Sequence, residues 1–254
     1  MAKFTECAKV ISQESIANGI FSMWIETENI AGDAVAGQFI SVYCNEGSRL
    51  LPRPISICEI EDNRLRIVYR VVGKGTDEFS KYKAGDSVKI LGPLGNGFDK
   101  KDVKAILIGG GIGIPPMLQL AKELSGKCEV QIVAGYRDEL FLTDELSKYG
   151  KLYIATENGM AGTKGTVIDA IKENNIDGEM IYSCGPTPML KAVKQFALDA
   201  DIEAQLSLEE KMACGIGACL ACVCKSKEVD HHTNVNNKRI CKDGPVFYAK
   251  EVEL

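Results

Sequence analysis

Lys104-Ala105-Ile106-Leu107-Ile108-Gly109-Gly110-Gly111-Ile112-Gly113-Ile114-Pro115-Pro116 is the stretch on which the fold turns. Its first five residues form an apolar run without polar alternation, which reads as a strand buried on both faces. The glycines that follow allow a tight turn and let backbone approach a ligand closely. Paired prolines fit the first turn of a helix, where the N–H groups have no intrahelical acceptor. A strand, a glycine turn and a helix in that order are the context of a dinucleotide-binding turn. The spacing is not a strict G-x-G-x-x-G, because position 114 is Ile, and a plain glycine-rich βα turn shares the pattern.

Downstream, strands and helices alternate. Strands are expected at Glu129 to Ala134, Leu152 to Ala155 and Met180 to Ser183. Helices are expected from Pro115 through about Leu124 and at Glu139 to Lys148, Thr166 to Asn174 and Pro188 to Ala200. That alternation predicts a parallel sheet covered on both faces. Ser183-Cys184-Gly185-Pro186-Thr187-Pro188 then follows a strand end and precedes a helix. Ligands of open α/β sheets bind at such ends, so Cys184 could sit beside a nicotinamide ring or could simply be a packed cysteine. Gly135-Tyr136-Arg137-Asp138 follows the second strand. An Arg there could meet a 2′-phosphate, whereas Asp138 would repel one.

Upstream the rhythm differs. Short β-branched or aromatic runs cover Phe4 to Ile11, Gly19 to Thr27, Gln38 to Cys44, Ile55 to Ile60, Leu65 to Val72 and Ser87 to Leu91, with Gly, Asn, Asp and Pro between them. This predicts an antiparallel barrel or sandwich with a short helix at Asp77 to Tyr82. Within it, Arg53-Pro54-Ile55-Ser56 offers a guanidinium fork suited to a pyrophosphate and a hydroxyl that could reach a flavin edge. Tyr69-Arg70-Val71-Val72-Gly73-Lys74-Gly75-Thr76 ends a strand in two glycines, and its Thr is expected to open the helix and aim N–H groups at an anion. A β-turn with a capping Thr is the plainer reading.

The last segment is dense in cysteine. Five of the ten cysteines lie in the 28 residues 214–241. The spacing Cys214-x4-Cys219-x2-Cys222-x18-Cys241 matches plant-type [2Fe–2S] ligation, and Gly215, Gly217, Ala218 and Ala221 let a loop wrap a cluster closely. Zinc is the rival, but zinc knuckles come in pairs and no second knuckle surrounds Cys241. Buried structural cysteines are the third reading. Cys224 alternates with Cys222 and is expected to point away from the metal, with an alternative ligand as the other reading. Cys7, Cys44, Cys58 and Cys128 read as small apolar strand residues. His231 and His232 fall in a polar loop and read as solvated, and no Ser-His-Asp or paired-carboxylate arrangement stands out.

Composition bounds the rest. Hydrophobic residues are 45%, charged residues 26% and the net charge is −5, an ordinary globular profile that demotes nucleic-acid binding. The longest apolar stretch, 105–118, is short for a bilayer span and is broken by glycines and prolines. The N-terminus lacks a signal-peptide apolar core. A cytoplasmic location with no membrane partner is expected, where cysteine clusters serve metal or redox chemistry.

Taken in order, the RPIS strand, the glycine–Thr corner, the GGGIG turn and the CGP turn resemble the ferredoxin–NADP reductase superfamily. Met212-Ala213-Cys214-Gly215-Ile216-Gly217-Ala218-Cys219-Leu220-Ala221-Cys222-Val223-Cys224-Lys225, followed by Arg239-Ile240-Cys241-Lys242-Asp243-Gly244-Pro245-Val246-Phe247, resembles the electron-transfer subunits of type B dihydroorotate dehydrogenase over essentially the whole chain. The resemblance implies an FAD-binding barrel at 1–100, an NAD-binding α/β domain at 101–205 and a [2Fe–2S] domain at 206–254. It implies FAD contacts from Arg53, Pro54, Ile55, Ser56, Arg70, Val71, Val72, Gly75 and Thr76. It assigns NAD contacts to Gly110, Gly111, Gly113, Cys184, Gly185 and Pro186, and iron ligation to Cys214, Cys219, Cys222 and Cys241. It further implies a partner subunit, a TIM barrel with FMN that oxidises dihydroorotate, in a heterotetramer of two plus two copies. A subunit of a hydrogenase or of a bifurcating ferredoxin–NADP system is the alternative. A zinc-bearing binding module with a reductase-like fold is a third reading. Two departures stand out: Ile55 replaces a Tyr that commonly stacks on the flavin, leaving Tyr69 as the candidate ring, and no terminal aromatic covers the flavin.

Overall fold

The computed structural model describes residues 2–230 and 234–254; the expected His231–His232 loop lies outside them. Six strands close an antiparallel barrel: β1 (Phe4–Ala17), β2 (Ile20–Glu26), β3 (Phe39–Val42), β4 (Arg53–Glu61), β5 (Arg64–Arg70) and β6 (Ser87–Leu94), in the order β1-β2-β5-β4-β3-β6. Period-2 alternation sends Val10, Met23, Ile25, Ile40, Val42, Ile57, Leu65, Ile67 and Ile90 inward to fill it. The same alternation turns Cys7, a strand residue as expected, out to solvent while Ala8 is buried. Two short helices join these strands, α1 (Ile30–Asp33) and α2 (Lys74–Phe79).

The buried run opens the second sheet as β7 (Ala105–Gly110), followed by a 3-10 turn at Gly111–Gly113 and α3 (Pro115–Leu124). Then come β8 (Val130–Tyr136), α4 (Thr143–Leu146), β9 (Lys151–Thr156), β10 (Thr163–Lys164), α5 (Val167–Glu173), β11 (Met180–Cys184), α6 (Thr187–Asp199) and β12 (Glu203–Ser207). The sheet order is β10-β9-β8-β7-β11-β12-β15, parallel except for β15 (Val246–Tyr248), which pairs antiparallel to β12. The helix expected at Glu139 to Lys148 shrinks to α4. Leu142 takes a left-handed φ of 60°, and Phe141 and Leu142 are buried, with the Tyr136 hydroxyl donating to the Phe141 carbonyl. A tertiary anchor here overrides helical periodicity.

The C-terminal segment is not separate from this sheet. β12 straddles the expected 205/206 boundary, and β15 extends the sheet edge. Strands β13 (Val223–Asp230) and β14 (Val235–Arg239) pair as a separate two-stranded sheet. The segment also grips the barrel: the Asn96 N–H donates to the Gly244 carbonyl at 2.6 Å, and Asn96 Nδ2 donates to the Asp243 carbonyl at 2.9 Å.

Barrel and sheet are packed on one another. Ile20, Cys58 and Val68 share a core with Met117, Ala121 and Leu124 of α3. Arg66, buried on β5, donates to Ser22 Oγ at 2.8 Å, pairs with Glu59, and meets both carboxylate oxygens of Glu145 on α4. Lys122 on α3 completes the network through Glu59 at 3.0 Å.

Candidate functional site

Three features converge on the seam between barrel, sheet and C-terminal segment. The first is the corner where β4 begins and β5 ends. The Arg53 guanidinium lies against Gly75 of α2, and a Cβ at Gly75 would stand 2.6 Å from Cζ and 2.7 Å from Nη2. Arg53 also donates to the Leu51 carbonyl. Arg49 staples this loop to α2, bonding the Lys74 carbonyl at 2.9 Å and Glu78 at 2.7 Å. A fork-shaped cation held beside bare backbone is a cradle that fits a pyrophosphate. Thr76 does not open the helix. Gly73 is the cap, and the Thr76 hydroxyl accepts from the N–H groups of Val72 (3.0 Å) and Gly73 (3.3 Å). It therefore shapes the turn from inside.

Two flavin expectations fail on side-chain direction. Ile55 is 7% exposed and packs into the barrel interior. Tyr69 is also buried there, stacked on Phe21 and edge-on to Phe79, with its hydroxyl donating to Gln13. A ring enclosed this way has no free face for a flavin. Pro54 and Ser56 alternate with Ile55 and remain partly accessible, as does Val71, while Arg70 and Val72 are exposed. Leu50 and Leu51, which no motif marks, are also exposed beside Arg53.

The second feature is the C-terminal edge of the parallel sheet. Gly109 is in register with Cys184, Gly110 with Gly135, and Tyr136 with Thr156. The two glycine turns interlock, since a Cβ on Gly113 would stand 2.5 Å from the Cys184 carbonyl carbon and 2.6 Å from the Gly185 nitrogen. Gly110 and Gly185 pack on Met189, and Pro186 abuts Gly110. Gly111, at a left-handed φ of 53°, meets open space. Burial pushes the Cys184 thiol up to about 12, against a partly offsetting bond from Ser207. Next to these turns, a cavity of about 500 Å³ is lined by Asp138, Glu139, Leu140, Thr156, Asn158 and Met160. Thr156 and Asn158 were missed in the sequence, although they follow a strand end as the CGP turn does.

The third feature is the cysteine loop. Cys222 and Cys241 are buried, Cys214 is half-buried and Cys219 is exposed. Amides point at sulfurs: Gly217 N–H donates to Cys241 Sγ at 3.1 Å, Ala218 N–H to Cys214 Sγ at 3.3 Å and Cys241 N–H to Cys222 Sγ at 3.4 Å. Burial works to raise the Cys214 thiol, but amides of Ile216, Cys219 and Ala218 outweigh it and bring it to about 6. Burial and the adjacent Cys222 push Cys241 up. The sulfurs meet as two pairs, Cys214 with Cys219 and Cys222 with Cys241. Among the described residues, no three His, Cys, Asp or Glu side chains are placed around a single ion. Four thiols, three of them served by backbone N–H groups, fit an iron–sulfur cluster, whose sulfurs take such bonds. Arg239, paired with Asp243 at 3.0 Å, holds the loop through the Gly217 carbonyl at 3.4 Å. Cys224, on β13, is pushed up to about 11 by burial.

Comparisons with known proteins bear on the chain as a whole. Residues 209–253 match the family model described as the iron-sulfur cluster binding domain of dihydroorotate dehydrogenase B, and residues 107–195 match the oxidoreductase NAD-binding domain. The chain is 41% identical over 246 residues to the dihydroorotate dehydrogenase B (NAD(+)) electron transfer subunit of Caldanaerobacter subterraneus subsp. tengcongensis, covering 96% of this chain and 97% of that one. It is 42% identical over 266 residues to the subunit so named in Fusobacterium nucleatum subsp. nucleatum, covering 99% of each. Among solved structures, an NADH-dependent reduced ferredoxin-NADP oxidoreductase, studied for flavin-based electron bifurcation, superposes with a TM-score of 0.87. It is 29% identical, with 98% of this chain and 90% of that chain covered.

Proposed function

The chain belongs to the family of electron transfer subunits of the NAD(+)-linked dihydroorotate dehydrogenase B, and from that premise we propose how its residues divide the work. The reaction relays electrons from a dihydroorotate-oxidising, FMN-containing catalytic partner through a [2Fe–2S] cluster and FAD to NAD+. Bound FAD supplies hydride exchange with NAD and single-electron exchange with the cluster, which is why it stands between them.

Arg53, seated against Gly75, would hold the FAD pyrophosphate, with Thr76 shaping the corner, and Pro54, Ser56, Arg70, Val71 and Val72 would contact the cofactor. Gly110, Gly111, Gly113, Gly185 and Pro186 let NAD approach the sheet edge. Cys184 presents a neutral thiol, a small group that leaves room for the nicotinamide without adding charge. Asp138 and Glu139 at the 500 Å³ cavity suit a ribose diol and repel a 2′-phosphate, which favours NAD over NADP. Cys214, Cys219, Cys222 and Cys241 ligate the iron. Residues 1–100, 101–205 and 206–254 carry these three tasks. We assign a two-plus-two assembly with the catalytic partner and a cytoplasmic setting. Among the described residues no helix is long and apolar enough to cross a membrane.

One observation carries this reading. The cysteine loop packs on β3 through Gly215 and Ser41, and β3 is the strand paired with β4, which bears Arg53 to Ser56. The cysteine loop and the strand assigned to the flavin are thus neighbours, which supports this reading. The similarity to a bifurcating reductase keeps one alternative partner in view, and the test separates them. Co-expressed with its FMN-barrel partner, the chain should carry about two irons per FAD and reduce NAD+ with dihydroorotate. Recovery of zinc without flavin, or of activity only with ferredoxin, would overturn it.

A further inference from the structure

Ser41 is the polar exception in β3, where Phe39, Ile40 and Val42 are all apolar and buried. It is 0% exposed, and its Oγ has no hydrogen-bond partner among the described residues. A buried hydroxyl without a partner destabilises a fold, so an unsatisfied one calls for an explanation. Its direction is set by strand alternation. Ile40 and Val42 face the barrel interior, whereas Phe39 faces out and shares a core with Cys222, Cys241 and Phe247. Ser41 is on the Phe39 side, and Oγ would lie 2.9 Å from a Cβ at Gly215. Gly215 directly follows Cys214 and holds a φ of 69°. The missing side chain at Gly215 therefore leaves open the space between the hydroxyl and the cysteine loop.

We propose that the Ser41 hydroxyl donates a hydrogen bond to the [2Fe–2S] cluster held by the Cys214 loop and so raises its reduction potential. This rests on the cluster assignment above. Reduction adds negative charge to the cluster, and a donor stabilises the more negative state more strongly. Ser41 thus acts as a positioning and tuning residue at the junction of barrel and cluster loop, reached from the barrel rather than from the cysteine segment.

The test uses the complex with its catalytic partner. Iron and FAD contents are measured first, so that loss of the cluster assignment itself is visible separately. The cluster midpoint is then titrated by its EPR signal and the FAD midpoint optically. In Ser41→Ala the cluster midpoint should fall by an amount equal to about a tenfold change in its reduction equilibrium, about 59 mV for one electron. An exchangeable proton coupled to the reduced cluster should disappear with it. Ser41→Thr should restore both. If Ala lowers iron content, Ser41→Thr against Ser41→Val, similar in size and differing in the hydroxyl, makes the same comparison. An unchanged cluster midpoint at full iron content, or a shift confined to FAD, overturns the proposal.

Discussion

The guanidinium of Arg53, at the start of one barrel strand, occupies the space that a side chain at Gly75 would need, with Cζ 2.6 Å from that Cβ position. The two residues are far apart in sequence and form one cradle. Because the obstructing atoms belong to the far end of a flexible side chain, Gly75→Ala should displace the guanidinium rather than unfold the corner. Charge-assisted hydrogen bonds contribute about 1.5–3 kcal/mol. FAD affinity should therefore fall roughly ten- to hundredfold, read as flavin lost on dialysis, with iron content unchanged.

Gly113 faces a different obstacle. Its absent Cβ would run into backbone, the Cys184 carbonyl carbon at 2.5 Å and the Gly185 nitrogen at 2.6 Å, and backbone cannot swing aside. Gly113→Ala should prise the two glycine turns apart at about 1–3 kcal/mol. The KM for NADH in dye reduction should rise at least about tenfold, while FAD stays bound.

Burial holds the Cys184 thiol up at about 12, so it stays protonated across roughly pH 6 to 9. Its protonation favours the folded state fully below the ordinary value of 9.0, and that contribution is lost as pH climbs from there toward about 12. The pH profile of NADH oxidation in Cys184→Ala should keep the native shape over the neutral range. Iodoacetamide at pH 8 should label exposed Cys7 and spare Cys184 until the chain unfolds, as mass spectrometry would show.

Arg66 joins barrel to sheet, with its side chain 6% exposed and Glu59 9% exposed beside it. Arg66→Ala leaves Glu59 with Lys122 alone and frees Glu145 on α4. Breaking a buried pair from one side costs about 3–5 kcal/mol. The denaturation midpoint should fall accordingly, and Arg66→Lys, which keeps charge but not the fork, should recover only part of it.

Much of the molecule was legible from local pattern. The 104–108 run and its glycine turn, the alternating barrel strands and the cysteine spacing each depend on residues close in sequence, where periodicity and turn chemistry act. What escaped was nonlocal. Nothing near Tyr69 tells that Phe21 and Phe79 will enclose its ring, and nothing near Ile55 tells that its side of β4 faces the barrel interior. Leu142 broke an expected helix because Phe141 is anchored by Tyr136.

The sequence by itself determined most strand and helix types, the cysteine spacing proposed for iron and the glycine turns proposed for a dinucleotide, because composition and spacing set those directly. Tertiary structure alone decided that Arg53 meets Gly75, that Val246–Tyr248 completes the α/β sheet, and that Ser41 faces the loop of Cys214. Those are contacts between segments distant in the chain, and which side chains meet across them follows from strand register and packing.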